Sequence, residues 1–204
     1  MLKKALKPGF NISEREIKDL SRAWIILSLA FAIVFQGFSL SIDFLLAWVV
    51  SLLTVGTAFI FHELGHKIVA QKYGCFAEFR SFDKMLGFAL LMSFFGFVFA
   101  APGAVMISGP VGIKRNGKIS AWGPGTNIIL AIIFLYINSM SIGNAVGVIS
   151  YYGFVVNSWL ALFNLLPFPM FDGKKILKWN KTVYGLMIFV SFVLMGLQGT
   201  LSVP

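Results

Sequence analysis

Apolar residues in this chain fall in long runs, and polar residues gather in short clusters between them. A run of about 20 apolar residues is what a helix needs to cross a bilayer. The pattern predicts spans over Arg22–Phe38, Ile42–Tyr73, Ala121–Ser139, Val146–Leu166 and Thr182–Gln198. Gly74 suits the stop of the second. Leu86–Ile107 is long enough to be another span, but Ser93, Gly96, Pro102 and Gly103 interrupt it. Its parts Leu86–Leu90 and Ala104–Ile107 read equally well as short strands. Asn116-Gly117 is a hairpin-turn signal. Before the first run, Ser13-Glu14-Arg15-Glu16 fits a capping box, with Ile17, Leu20 and Trp24 following at helical spacing. The expected fold is an all-α polytopic membrane protein of about five to six transmembrane helices, with a small membrane-associated β-hairpin or re-entrant segment. It forms one domain over residues 1–204, with residues 1–22 a basic amphipathic segment at the membrane surface.

Composition agrees. Hydrophobic residues make up 58% and charged residues 12% of the 204 positions, against about 25% charged in soluble domains. The net charge of +9 invites a nucleic-acid partner, but its distribution argues against one. All 17 Lys and Arg residues fall in four clusters: Lys3–Arg22, Lys67–Lys84, Lys114–Lys118 and Lys174–Lys181. Clusters flanking spans follow the positive-inside rule and suit contact with anionic lipid, so the bilayer is the expected partner. If Leu86–Ile107 enters the membrane and returns, all four clusters lie on one side, the cytosolic one. A true crossing would put Lys114–Lys118 and Lys174–Lys181 outside. The expected location is therefore multi-pass, in the cell membrane, with the N-terminus cytosolic. The first apolar stretch begins near Trp24, too deep for a signal peptide, and is expected to remain as an anchor. The single Cys75 cannot form an intrachain disulfide.

The chemistry lies in the second span. The chain's two histidines, His62 and His66, stand in the run His62-Glu63-Leu64-Gly65-His66. Positions four apart share a helix face, so both imidazoles can hold one Zn²⁺ while Glu63 acts as general base. The preceding stretch Phe44–Phe61 carries no charge. Ionisable groups at that depth are costly and mark a functional site. A catalytic zinc takes three protein ligands. With no third histidine, the third ligand must come from eight acidic residues. Asp43 lies at the wrong end of the span, Glu14, Glu16 and Asp19 in the N-terminal segment, and Glu78 and Asp83 in a basic loop. Asp172 follows a proline-broken helix on the histidine side and is the expected ligand.

The run His62–His66, with Asn164, Pro167, Pro169, Asp172 and Gly173 far downstream, resembles the site-2 protease family of intramembrane zinc metalloproteases. Gly123-Pro124-Gly125-Thr126-Asn127 is similar to that family's Gly-Pro-x-x-Asn segment. The likeness covers a core of residues 44–176. It implies one Zn²⁺ per chain on His62, His66 and Asp172, catalysis by Glu63, and Asn164 holding the substrate or its oxyanion. It also implies a transmembrane protein or peptide as substrate, cut by hydrolysis. An unwound substrate would add to an exposed strand edge, for which Ala100–Ile107 is the candidate, the other reading being a packing loop. Two other functions fit parts of the pattern: a zinc-binding transporter, and a catalytically silent scaffold for client helices. A transporter needs ligands across the bilayer, where this chain has one compact group. A scaffold needs no Glu63.

Overall fold

The computed structural model describes residues 10–98, 102–140 and 143–201. Residues 1–9 of the N-terminal segment, Ala100 and Ala101 of the candidate edge, and residues 141–142 of the turn after the third predicted span lie outside them. The elements are α1 (Glu14–Gln36), α2 (Ile42–Ser51), a π turn (Leu52–Gly56), α3 (Thr57–Lys72), β1 (Phe76–Ser81), α4 (Asp83–Ser93), β2 (Gly103–Ser108), α5 (Ile113–Ser139), α6 (Asn144–Asn164), α7 (Asp172–Trp179) and α8 (Lys181–Leu197).

α2, the π turn and α3 run on as one helix, Ile42–Lys72. A π turn interrupts the regular ladder and frees backbone groups. Here the Trp24 indole N–H of α1 donates to the Leu52 carbonyl at 2.9 Å. Gly56 makes room for that indole, since a Cβ there would stand 2.0 Å from Trp24 Cδ1. α1 is thereby fixed against the helix that carries both histidines.

Among the described residues, three helices are long and apolar enough to cross a bilayer: Ile42–Lys72, Ile113–Ser139 and Asn144–Asn164. This is fewer than the five to six expected. The first turns of α1 carry Glu14, Arg15, Glu16, Lys18, Asp19 and Arg22, leaving only residues 23–35 apolar, about 20 Å of helix. α8 is apolar but short, at 17 residues.

The segment after Gly74 departs furthest from expectation. Residues 76–81, expected as loop, form β1, whose Ala77 and Phe79 are buried. β1 pairs antiparallel with β2 in the register Phe76↔Ser108 to Ser81↔Gly103. Leu86–Leu90 is helix within α4, whereas Ala104–Ile107 is strand as expected. Because Phe76 lies opposite Ser108, the chain returns at the end of β2 to the level at which β1 began. Asn116 and Gly117 are not a turn but lie inside α5. Gly117 is needed there for packing, since a Cβ would stand 2.1 Å from Trp179 Cβ of α7.

The start of α1 packs against α3 and the sheet. Ser13 caps it by accepting from Glu16 N–H at 3.1 Å, but Glu16 does not reach back to complete the box. Its fully buried carboxylate pairs with Lys67 of α3 and accepts the Phe79 N–H at 3.0 Å. Asp19 meets Arg80 at 3.6 Å and Arg22 meets Asp83 at 2.6 Å. The acidic residues of α1 thus anchor the two-stranded sheet. Described members of all four basic clusters gather at one end: Glu16 binds Lys67, Arg115 lies over the Tyr73 ring, and Trp179 packs on Gly117.

Candidate metal centre

Three elements bring the site together. α3 carries His62, Glu63 and His66, α5 lies against them, and the chain re-enters after α6 to begin α7 at Asp172. Residues 165–171 are not helical, as Pro167 and Pro169 dictate. Gly173 then lets α7 start hard against α6, because a Cβ would stand 2.1 Å from the Leu165 carbonyl oxygen. On the opposite side, Gly65 and Gly123 allow α3 and α5 to touch. A Cβ on Gly65 would meet Trp122 O at 2.7 Å, and one on Gly123 would meet His66 Nε2 at 2.3 Å.

His62, His66 and Asp172 are all buried. Among the described residues they are the group of three able to hold a metal ion. His62 Nε2 and His66 Nε2 are 3.1 Å apart, and Asp172 Oδ2 lies 3.4 and 3.0 Å from them. A tetrahedral zinc with ligands at about 2.0–2.1 Å has donor–donor edges of about 3.3–3.4 Å. The observed triangle is close to that.

The far side of each ring decides the chemistry. His66 Nδ1 is 2.9 Å from the Ile119 carbonyl oxygen, and His62 Nδ1 is 2.6 Å from Asn127 Oδ1. Both acceptors are oxygens, so both Nδ1 atoms donate and both Nε2 atoms point lone pairs inward. Those two lone pairs and Asp172 Oδ2 converge on one point, three acceptor atoms with no donor among them. The site therefore calls for positive charge. A proton bridges two of the three atoms, whereas a divalent cation serves all three. The residues fit zinc.

Glu63 supplies none of these three atoms but stands beside them. Its Oε2 accepts the Val105 N–H of β2 at 3.0 Å. Val105 is the register partner of Phe79, whose own N–H goes to Glu16. The two N–H groups of that pair leave the ladder in opposite directions, as in a non-hydrogen-bonded antiparallel pair. One edge of the sheet reads α1, and the other reads Glu63.

Asn164 ends α6, with its Nδ2 donating to the Leu160 carbonyl at 2.9 Å. Asp83 is on the surface with Arg22 and Ser81, and Glu78 binds Arg80 at 2.6 Å. Cys75 is buried among Val69, Ala70, Ala77 and Ile119 and, among the described residues, belongs to no metal group. Sequence reasoning picked out the segment holding Asn127 but no role for that side chain. It missed Asn157, which bonds Asn127 at 3.0 Å. A lone asparagine in an apolar run was the available signal.

The chain is 42% identical over 182 residues to a protein of Methanocaldococcus jannaschii named as a "putative zinc metalloprotease". The match spans 87% of this chain and 91% of that protein. No family model matches the chain, and no solved structure does.

Proposed function

The chain belongs to the zinc metalloprotease family of this archaeal relative, and on that premise we propose that it is an intramembrane protease, hydrolysing peptide bonds in or near the transmembrane segments of membrane-protein substrates. One observation carries the reading. His62, Glu63 and His66, all buried, sit on a helix, Ile42–Lys72, that is long and apolar enough to span a bilayer. A protease acting on water-borne chains has no need to place its charges there. The likeness of the motifs to site-2 proteases supports the same reading.

His62, His66 and Asp172 would hold one zinc ion per chain. When bound, zinc supplies a Lewis acid that polarises a carbonyl and makes water a better acid. The chain's own residues do the rest. Glu63 takes the proton of the attacking water and delivers it to the leaving amine nitrogen. Asn164 uses one N–H on Leu160 O and has a second with which to hold the substrate carbonyl. Such a donor is worth on the order of 3 kcal/mol to the transition state in other hydrolases. A helical substrate must unwind before its peptide bonds are open to attack. The outer edge of β2 runs beside Glu63, and an unwound segment pairing with that edge is delivered to the base.

We place the zinc end and the N-terminus in the cytosol, because the basic clusters meet at that end. Cysteines introduced at Lys84 and Lys118, in a Cys75→Ala background, should then react with an impermeant thiol reagent from the cytosolic face alone. The proteolytic reading is tested by incubating purified protein with a single-span substrate and mapping the cuts by mass spectrometry. Cuts inside or at the border of the apolar stretch are expected. Cuts confined to distant water-exposed flanks would contradict it.

A further inference from the structure

We propose that Asn157, two side chains removed from the metal site, is a positioning residue that acts through Asn127 to fix which nitrogen of His62 carries the proton. The inference rests on the zinc reading above.

Both asparagines are fully buried. Asn157 Nδ2 donates to the Gly153 carbonyl, one turn back in α6, at 2.8 Å. Its Oδ1 is therefore the atom that faces Asn127, and it can only accept. Asn127 Nδ2 meets two acceptors, Asn157 Oδ1 at 3.0 Å and the Ala58 carbonyl at 3.1 Å. An amide nitrogen with two N–H groups satisfies both. Turning the Asn127 amide over would aim its oxygen at two other oxygens, so the amide has one orientation. Its Oδ1 then faces His62 Nδ1, which must donate across the 2.6 Å gap. A neutral imidazole has one N–H, so Nε2 keeps its lone pair for a metal.

His66 needs no such device. Its Nδ1 bonds a backbone carbonyl, Ile119 O, which is held in the helix of α5 and cannot turn over. His62 bonds a side-chain amide, which can. Two anchors on that amide, one from α3 and one from α6, remove the freedom. The relay links α6 through α5 to α3, with His62 donating to Asn127, Asn127 to Asn157, and Asn157 to the Gly153 carbonyl.

The bland alternative is an interhelical hydrogen bond that merely ties α5 to α6. Zinc affinity separates the two, measured on purified full-length protein by competition with a chromogenic chelator. Asn157→Leu keeps the branched shape and removes the acceptor. It should weaken zinc binding about tenfold, the range found for residues supporting metal ligands. Asn157→Asp keeps an oxygen facing Asn127 and, as the neutral acid that full burial favours, donates to the Gly153 carbonyl in place of the amide, so it should bind zinc far closer to wild type than Asn157→Leu does. In an Asn127→Leu background, Asn157→Leu should have no further effect. If Asn157→Leu does not fold, Asn157→Ala carries the same comparison. Unchanged zinc affinity in Asn157→Leu, with only a lower melting temperature, would overturn the proposal. So would equal loss with Asn157→Asp, or an undiminished loss in the Asn127→Leu background. A wild-type chain that binds no zinc would overturn the metal reading itself and is a distinct result.

Discussion

Gly123 of α5 lies against His66 of α3 so closely that a Cβ on the glycine would stand 2.3 Å from the ring's Cε1 and Nε2, and 2.7 Å from His62 Nε2. The absence of one methyl group is part of the metal site. Alanine is the better helix former by about 1 kcal/mol, so Gly123→Ala should leave helix content intact. It should nevertheless displace both imidazoles and lower zinc affinity about 10- to 100-fold. Circular dichroism and zinc titration of the same sample check the two halves. Unaltered zinc binding would mean that α5 stands further from the histidines than described.

Glu63 sits beside a ligand but bonds the Val105 N–H rather than the triangle of ligand atoms. Glu63→Gln keeps an acceptor for that N–H and loses only the base. Zinc should stay near one per chain while cleavage falls about 10²- to 10⁴-fold. Elemental analysis beside a cleavage assay decides it, and wild-type turnover by this variant would remove Glu63 from the mechanism.

Asp172 and Asp83 are both acidic residues at the basic end, yet only Asp172 Oδ2 reaches the imidazoles, at 3.0 and 3.4 Å. Asp172→Ala should strip most of the zinc and all measurable activity, because three ligands become two. Asp83→Ala breaks a surface pair with Arg22, worth no more than about 1 kcal/mol, and should leave zinc content unchanged. The reverse pattern would move the site to the sheet.

Lys67, one residue beyond His66, is paired with Glu16 and only 1% exposed. Lys67→Met would leave the Glu16 carboxylate buried without its cation, at a cost of about 3–5 kcal/mol. Adding Glu16→Gln keeps the acceptor for the Phe79 N–H and should restore most of the loss. Chemical denaturation in detergent measures both variants. Equal stability of Lys67→Met and wild type would mean the pair is solvated.

Much of the site was legible in the sequence because it rests on rigid periodicity. Two histidines four apart on a helix share a face wherever that helix goes, and a proline-broken stretch before Asp172 marks a chain reversal. The bundle's span count was not legible. α1 is apolar only over residues 23–35, and its Glu16 and Asp19 are taken up inside the fold by Lys67, Arg80 and the Phe79 N–H. β1 hid behind the charges of Glu78 and Arg80, although Ala77 and Phe79 alternate with them as a half-buried strand requires. Asn116-Gly117 reads as a turn only in isolation, and Trp179 of α7 reveals why glycine sits within α5. The asparagine relay depends on three helices meeting, which no local pattern records.

The central claim is that one zinc ion on His62, His66 and Asp172 carries out proteolysis in a bilayer. Its most direct test strips the purified protein with a chelator, returns zinc in measured steps, and follows cleavage of a single-span substrate in bicelles. Activity should vanish on stripping and return in proportion to zinc, reaching its plateau at one ion per chain. Cleavage that survives complete removal of metal, or zinc bound at one per chain with no cleavage of any single-span substrate, would contradict it.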